Sequence, residues 1–130
     1  MKGTYFVVAV LAVLLLMGCS KKKPQETSYR QISMNEAAAM MEEASGYMIL
    51  DVRRADEFAS GHIPNAINIP NEEIGTAQIP ELPEKDQLIL VYCRSGNRSK
   101  QASEKLAALG YTNIVEFGGI NSWPGEIVTD

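Results

Sequence analysis

The sequence predicts an α/β domain with a mostly parallel sheet flanked by helices. Short apolar runs alternate with helical patterns along the chain, and strands that alternate with helices favour a parallel sheet with right-handed crossovers. Continuous apolar runs such as "LILVY", residues 88–92, fit this class because a parallel strand is covered on both faces. A length of 130 residues with an apolar fraction of 45% suits one globular domain.

The N-terminal segment is predicted to lie outside this domain. Residues 3–17, "GTYFVVAVLAVLLLM", form an uncharged apolar run that is short for a membrane span and typical of a signal peptide. It ends in "LMGC", which resembles a bacterial lipobox, where the cysteine is lipidated after cleavage. We predict a lipoprotein signal peptide over residues 1–18, lipidation at Cys19, a tether over residues 19–28 and a domain over residues 29–130.

The alternative for this segment is a secretory signal or an uncleaved anchor that happens to contain Cys19. Both alternatives deliver the domain outside the cytoplasm. The expected location is therefore the extracytoplasmic side of a cell membrane, with the protein held there by lipid on Cys19.

The first half of the domain contains two predicted helices and two predicted strands. Ser33 with Glu36 three positions later forms a capping box, which predicts a helix over about residues 34–44. The run "YMILDV", residues 47–52, predicts a strand, and "RADEFASGH", residues 54–62, predicts a short helix. The alternating "AINIP", residues 66–70, predicts a second strand.

The second half of the domain contains a strand, a helix and a last strand. The run "QLILVY", residues 87–92, predicts a buried strand, and "SKQASEKLAALG" places Ala102, Leu106 and Leu109 on one helical face. The run "TNIVEF" predicts the last strand. Because sites in such sheets lie at the carboxyl ends of strands, Cys93 and Asp51, which end two of them, are expected at the same edge.

The loop "CRSGNRS" places a cysteine before a helix. Gly96 and Asn97 tolerate positive φ, so the loop can turn its N–H groups toward one point, and Ser99 is expected to cap the helix. Amides, a helix N-terminus and arginines favour thiolate over thiol. We therefore expect Cys93 to be an exposed nucleophilic thiolate, with a buried, inert thiol as the alternative.

Six segments of the sequence occur in the order and spacing of the single-domain rhodanese family. They are "DVR", "EF", "GHIPNAINIP", "VYCRSGNRS", "LGYTNI" and "GGINSW", and they cover nearly all of the chain from about residue 28. The resemblance implies a rhodanese-like fold with a mostly parallel five-stranded sheet. It also implies a sulfurtransferase in which Cys93 attacks the outer sulfur of thiosulfate, sulfite leaves, and the persulfide passes its sulfur to cyanide or a thiol.

The resemblance also implies roles for single residues. The predicted substrate-binding residues are Arg94, Ser95, Gly96, Asn97, Arg98 and Ser99. We expect Arg98 to pair with Asp51 and hold the loop, with a substrate contact as the alternative. We expect Arg94 to receive a sulfonate, with a solvated surface arginine as the alternative.

His62 is expected to cap carbonyls rather than act as a base. Trp123 is expected to pack, and Asn65 to adopt a left-handed turn.

Composition limits the partners. No cluster of His, Cys and carboxylate side chains has metal-ligand spacing, so we predict no metal and no cofactor. A formal charge of −4 gives no reason to propose a nucleic acid. The expected partners are thiosulfate or a similar anion, a thiol or cyanide acceptor, and the membrane through Cys19, and the protein is expected to be a monomer.

Three other functions stay open. Cysteine phosphatases and arsenate reductases also combine a cysteine, an anion-binding loop and an arginine, but their loops are one residue longer than the segment between Cys93 and Arg98. Tyr92 also stands where such enzymes often have histidine. A non-catalytic module that binds an anion or a partner is the second alternative. A thiol redox protein is the third, although Cys93 has no second cysteine in the domain to resolve it.

Overall fold

Five parallel strands form the centre of the molecule. In the computed structural model, which describes residues 28–129, they lie in the order β1-β5-β4-β2-β3 and every neighbouring pair is parallel. Their bounds are β1 Arg30–Gln31, β2 Met48–Asp51, β3 Ile67–Asn68, β4 Ile89–Cys93 and β5 Ile114–Gly119. The predicted α/β class with a mostly parallel five-stranded sheet flanked by helices is confirmed.

In the described part of the chain, three α-helices flank the sheet, namely α1 Met34–Glu43, α2 Ala55–Ala59 and α3 Asn97–Ala108, and two short 3-10 helices cover Asn71–Glu73 and Ile120–Ser122. The predicted capping box is present, since the N–H of Glu36 donates to Ser33 Oγ at 3.1 Å and the N–H of Ser33 donates to Glu36 Oε1 at 3.0 Å. Among residues 28–129, no helix is long and apolar enough to cross a bilayer. The predicted signal peptide and Cys19 lie outside the described residues.

The sheet is covered by a separate apolar cluster on each face. Val91 and Cys93 of β4 belong to the cluster that contains Leu106 of α3, whereas Leu90 and Tyr92 belong to the cluster that contains Ala37 of α1. This division follows from the alternation of side chains along a strand. It places the Cys93 side chain on the α3 face of the sheet.

Asp51 lies on the opposite face from α3, so the predicted pair between Asp51 and Arg98 is wrong. Ile49, two residues before Asp51, packs in the α1 cluster, and alternation directs Asp51 the same way. There the fully buried carboxylate binds Arg53, whose Nη2 lies 2.7 Å from Asp51 Oδ2 and also donates to the Gly61 carbonyl at 2.7 Å. Asp51 therefore orders the segment after β2 and does not hold the cysteine loop.

Arg98 pairs with Glu57 and so connects α3 to α2. Its Nη1 lies 2.7 Å from Glu57 Oε1 and its Nη2 lies 3.1 Å from Oε2, a two-point contact between side chains that are 29% and 13% exposed. The hydrogen bonds from Arg98 lower the pKa of Glu57 from 4.5 to about 2, although burial opposes the shift. The pair therefore joins two of the flanking helices by a charged contact.

The Glu57 carboxylate is predicted to stabilise the fold at neutral pH and not in strong acid. Because the pKa of Glu57 in the folded state, about 2, lies below its ordinary value of 4.5, the stabilisation is fully present above pH 4.5 and is lost as the pH falls toward 2. Glu57→Gln should lower the free energy of unfolding at pH 7 by on the order of 2 kcal/mol. Urea unfolding at a series of pH values measures this difference, which should shrink to near zero at pH 2.

Asp56→Asn is the matched control for this experiment. Asp56 lies on the same helix and pairs with Arg54, but the two side chains are 73% and 61% exposed, and exposed pairs contribute little. The control should therefore unfold nearly as the wild type does at every pH. A Glu57→Gln deficit of unchanged size at pH 2 would contradict the role of the carboxylate charge.

Candidate functional site

The candidate site is the loop that connects β4 to α3. β4 ends at Cys93, residues 94–96 form a bend, and α3 begins at Asn97. Gly96 is the N-cap residue with φ of 114°, a conformation that glycine adopts without steric cost. The observed N-cap, Gly96, lies three residues before the expected one, so the predicted cap at Ser99 is wrong and Asn97 is already helical.

The sulfur of Cys93 is buried, so the prediction of an exposed thiolate is wrong about exposure. Only 1% of the residue is accessible. The N–H of Gly96 points back at the sulfur and donates to Sγ at 3.0 Å, and Ser99 Oγ lies 3.4 Å from Sγ. The sulfur thus lies under the loop at the N-terminus of α3, where N–H groups and the helix dipole favour negative charge.

β5 forms the wall against which the loop closes. Cys93 pairs with Gly119 after an irregularity in the register between β4 and β5, and the N–H of Asn121 donates to the Arg94 carbonyl at 3.3 Å. A β-carbon on Gly119 would lie 2.0 Å from the Arg94 carbonyl oxygen and 2.5 Å from Ser95 Cα. Only glycine therefore allows the loop to lie this close to β5.

Glu116 is a buried carboxylate behind the loop that the sequence analysis did not identify as part of the site. Only 2% of it is exposed, and its Oε2 accepts hydrogen bonds from Ser99 Oγ at 2.5 Å and from the N–H of Gly118 at 2.9 Å. Its Oε1 accepts from Gln31 Nε2 at 3.2 Å. The one sequence signal was a charged residue inside the apolar run "TNIVEF", which usually marks the solvent side of a strand.

The outer rim of the loop is polar and carries two arginines. Arg94, Ser95 and Asn97 are exposed, and within residues 28–129 the Arg94 side chain makes no hydrogen bond or ion pair. Arg98 is held by Glu57, and the pKa of Arg98 is raised mainly by this hydrogen bond, with smaller contributions from the negative charges of Glu57, Cys93 and Glu72. The predicted residues 93–99 therefore lie together where β4 ends, the chain bends and α3 begins, and Asp51 is not among them.

Three further predictions concern residues around the site. The Nδ1–H of His62 donates to the Phe58 carbonyl at 2.9 Å, and its ring stacks on Phe58 at 3.8 Å, so the predicted capping role is confirmed. Trp123 packs 6.0 Å from Phe117, and Asn65 has φ of 71°, as expected. Within residues 28–129, no group of three His, Cys, Asp or Glu side chains could hold a metal ion.

The geometry suits nucleophilic chemistry on an anionic substrate. The sulfur lies at the carboxyl end of a central strand and at the start of a helix, which are the usual features of a reactive cysteine. The exposed side chain of Arg94 supplies positive charge beside the cysteine loop. A group transferred to Sγ would meet the N–H of Gly96 and the hydroxyl of Ser99.

The chain is similar in sequence and in fold to known proteins. The Rhodanese-like domain family matches residues 33–126. Thiosulfate sulfurtransferase PspE of Escherichia coli strain K12 is 37% identical over 71 residues, which cover 55% of this chain and 68% of that protein. A rhodanese-related protein from Thermoplasma volcanium has a crystal structure that matches with a TM-score of 0.66 and 34% identity, covering 78% of this chain and all of that one.

Some relatives are much longer than this chain. The adenylyltransferase and sulfurtransferase UBA4 of Candida albicans is 32% identical over 111 residues, or 80% of this chain, but this chain spans only 25% of that protein. By its sequence match and its five-stranded fold, the chain belongs to the Rhodanese-like domain family, whose relatives similar to it include named sulfurtransferases.

Proposed function

We propose that this protein is an extracytoplasmic sulfurtransferase that moves a sulfane sulfur from thiosulfate, or a similar donor, to cyanide or a thiol through a persulfide on Cys93. The observation that carries the proposal is the hydrogen bond from the Gly96 N–H to the buried sulfur of Cys93 at 3.0 Å. A loop that turns an N–H inward onto a sulfur provides a binding position for sulfur anions. The name of the relative PspE as a thiosulfate sulfurtransferase supports the same reaction.

The reaction consists of two displacements on sulfur. The Cys93 thiolate attacks the outer sulfur of thiosulfate, a new sulfur–sulfur bond forms, and the old one breaks with its electron pair leaving on sulfite. Cyanide or a thiolate then attacks the outer sulfur of the persulfide and releases Cys93 as a thiolate. No net charge is created in either step, so the loop has only to stabilise an anion that moves from one sulfur to the next.

Arg94 is the residue proposed to receive the sulfonate of the donor. It is exposed beside the nucleophile, and its guanidinium can donate two hydrogen bonds to an oxyanion. Arg98 is less available, because both of its terminal nitrogens contact Glu57. We therefore assign Arg94 to the donor and Arg98 to holding α3 against α2.

Attachment to the outer face of a membrane through Cys19 is part of the proposal and rests on the sequence "LMGC". Mass analysis of the Cys19 peptide from bacterial membranes would show either the lipid or an unmodified thiol. An unmodified Cys19 in a chain that still carries residues 1–18 would reject the lipid anchor and leave the chemistry of Cys93 unaffected.

Incubation with thiosulfate is predicted to add one sulfur atom to Cys93. The full chain is kept in detergent, treated with thiosulfate, freed of excess donor and digested, and the Cys93 peptide is weighed. The wild type should gain the mass of one sulfur, and Cys93→Ala should gain none on any peptide. A Cys93 peptide that stays unmodified with thiosulfate and with other sulfur donors would favour a binding module instead.

Arg94→Gln is predicted to raise the thiosulfate concentration needed for half loading by roughly fivefold or more, because a charged hydrogen bond to the donor is lost. Thermal stability should change little, since the Arg94 side chain is exposed. Arg54→Gln, another exposed arginine that instead pairs with Asp56, is the control and should load as the wild type does. An unchanged requirement in Arg94→Gln would refute its role.

A further inference from the structure

Glu116 is a buried carboxylate that the proposed reaction does not use. Only 2% of the residue is exposed, and a buried charge is costly unless it is paired or hydrogen-bonded. Within residues 28–129, its carboxylate forms no ion pair, and its hydrogen-bond partners are Ser99, Gly118 and Gln31. The position of Ser99 connects this carboxylate to the reactive sulfur.

Three polar atoms form a continuous path from the sulfur to the carboxylate. Cys93 Sγ lies 3.4 Å from Ser99 Oγ, and Ser99 Oγ lies 2.5 Å from Glu116 Oε2. Cys93 and Ser99 are also closed off from solvent, with at most 1% of either residue exposed. A proton that leaves the sulfur in this structure has the Ser99 hydroxyl as its neighbouring acceptor.

We propose that Glu116 accepts the proton of the Cys93 thiol through the hydroxyl of Ser99. The proposal rests on the function assigned above, and it makes Glu116 a positioning residue that acts on the nucleophile through Ser99. The Cys93 S–H bond breaks as its proton binds Ser99 Oγ, and the original Ser99 proton passes to Glu116 Oε2. The thiol and carboxylate become a thiolate and a carboxylic acid, so protons and charge balance without a further reactant.

The hydrogen bonds of Ser99 fit both ends of this transfer. Before transfer, the Cys93 S–H donates to Ser99 Oγ and the Ser99 O–H donates to Glu116. The bond to Glu116 is the shortest of the hydrogen bonds that Ser99 Oγ makes. After transfer, the Glu116 O–H donates to Ser99 and the Ser99 O–H donates to the sulfur. Cys93, Ser99 and Glu116 form one buried unit. This unit carries one negative charge in both states, and never two close charges of the same sign.

Tyr29, Arg98 and Glu104 are titratable groups that lie around Cys93, Ser99 and Glu116. Tyr29, next to β1, interacts with Glu116 and with Glu104 of α3, and its pKa is raised above 10 mainly by burial. Arg98 of α3 interacts with Cys93, and the pKa of Arg98 is raised above its ordinary value, mainly by its hydrogen bond to Glu57. Glu104 is exposed, and solvent screens its charge.

A shared proton predicts an unusual pH dependence for the reactivity of Cys93. While the unit keeps the same number of protons, the thiolate fraction depends on where the proton lies and not on pH. The rate of Cys93 alkylation by iodoacetamide in the full chain should therefore be flat between about pH 5.5 and 7. Peptide mass analysis separates alkylation at Cys93 from alkylation at Cys19.

Glu116→Gln removes the proton acceptor and keeps the shape of the side chain. In this variant the Cys93 thiol has no partner to share its proton. The rate of Cys93 alkylation should therefore fall about tenfold for each unit by which the pH is lowered. Ser99→Ala interrupts the path and should give the same slope, whereas Ser99→Thr keeps a hydroxyl and should restore the flat profile. Gln31→Ala is the control, since it removes a Glu116 hydrogen bond that lies outside the path, and it should stay flat.

The wild-type profile alone can overturn the proposal, so the test does not depend on the folding of a variant. A wild-type rate that falls about tenfold per pH unit, as for a simple thiol, would reject the relay. A flat profile that persists in a folded Glu116→Gln would reject it as well. Iodoacetamide needs no sulfur donor, so failure of thiosulfate loading with a flat alkylation profile would reject the proposed function and leave the relay intact.

Discussion

The close approach between β5 and the loop after β4 is the contact on which the site depends. Gly119 lies against the Arg94 carbonyl with no room for a β-carbon, and this contact fixes where the loop turns. The turn at Gly96 then directs its N–H onto the sulfur of Cys93. Because the same glycine-lined wall brings Glu116 behind Ser99, one constraint positions both the nucleophile and its proposed proton acceptor.

The two faces of the sheet separate the buried Asp51–Arg53 ion pair from the cysteine site. Asp51 and Arg53 lie buried on the α1 face and order the segment after β2, while Cys93, Ser99 and Arg98 belong to the α3 side. Strand alternation decides this separation. Glu116 is the buried carboxylate behind the cysteine loop, and the Asp51–Arg53 ion pair on the other face does not compete with an incoming anion for the loop.

The sequence was most informative where a local pattern determines local structure. The capping box at Ser33 predicted α1, and the apolar run ending at Tyr92 predicted the central strand, because both depend on neighbours in the chain. The partner of Arg98 could not be predicted from the edge of the sheet alone, since it depends on which face each side chain occupies. Burial of Cys93 depends on β5, and burial of Glu116 depends on Ser99 and Gln31, so each residue is covered by parts of the chain that are distant in sequence.

The most direct test compares sulfur loading in two glycine variants. Gly119→Ala should disturb the loop and lose loading from thiosulfate while its backbone amide spectrum shows that the sheet is still formed. Gly75→Ala, where an added β-carbon meets no atom within 4 Å, should load as the wild type does. Loading of folded Gly119→Ala at the wild-type rate would contradict the claim that the contact between β5 and the loop positions Cys93 for sulfur transfer.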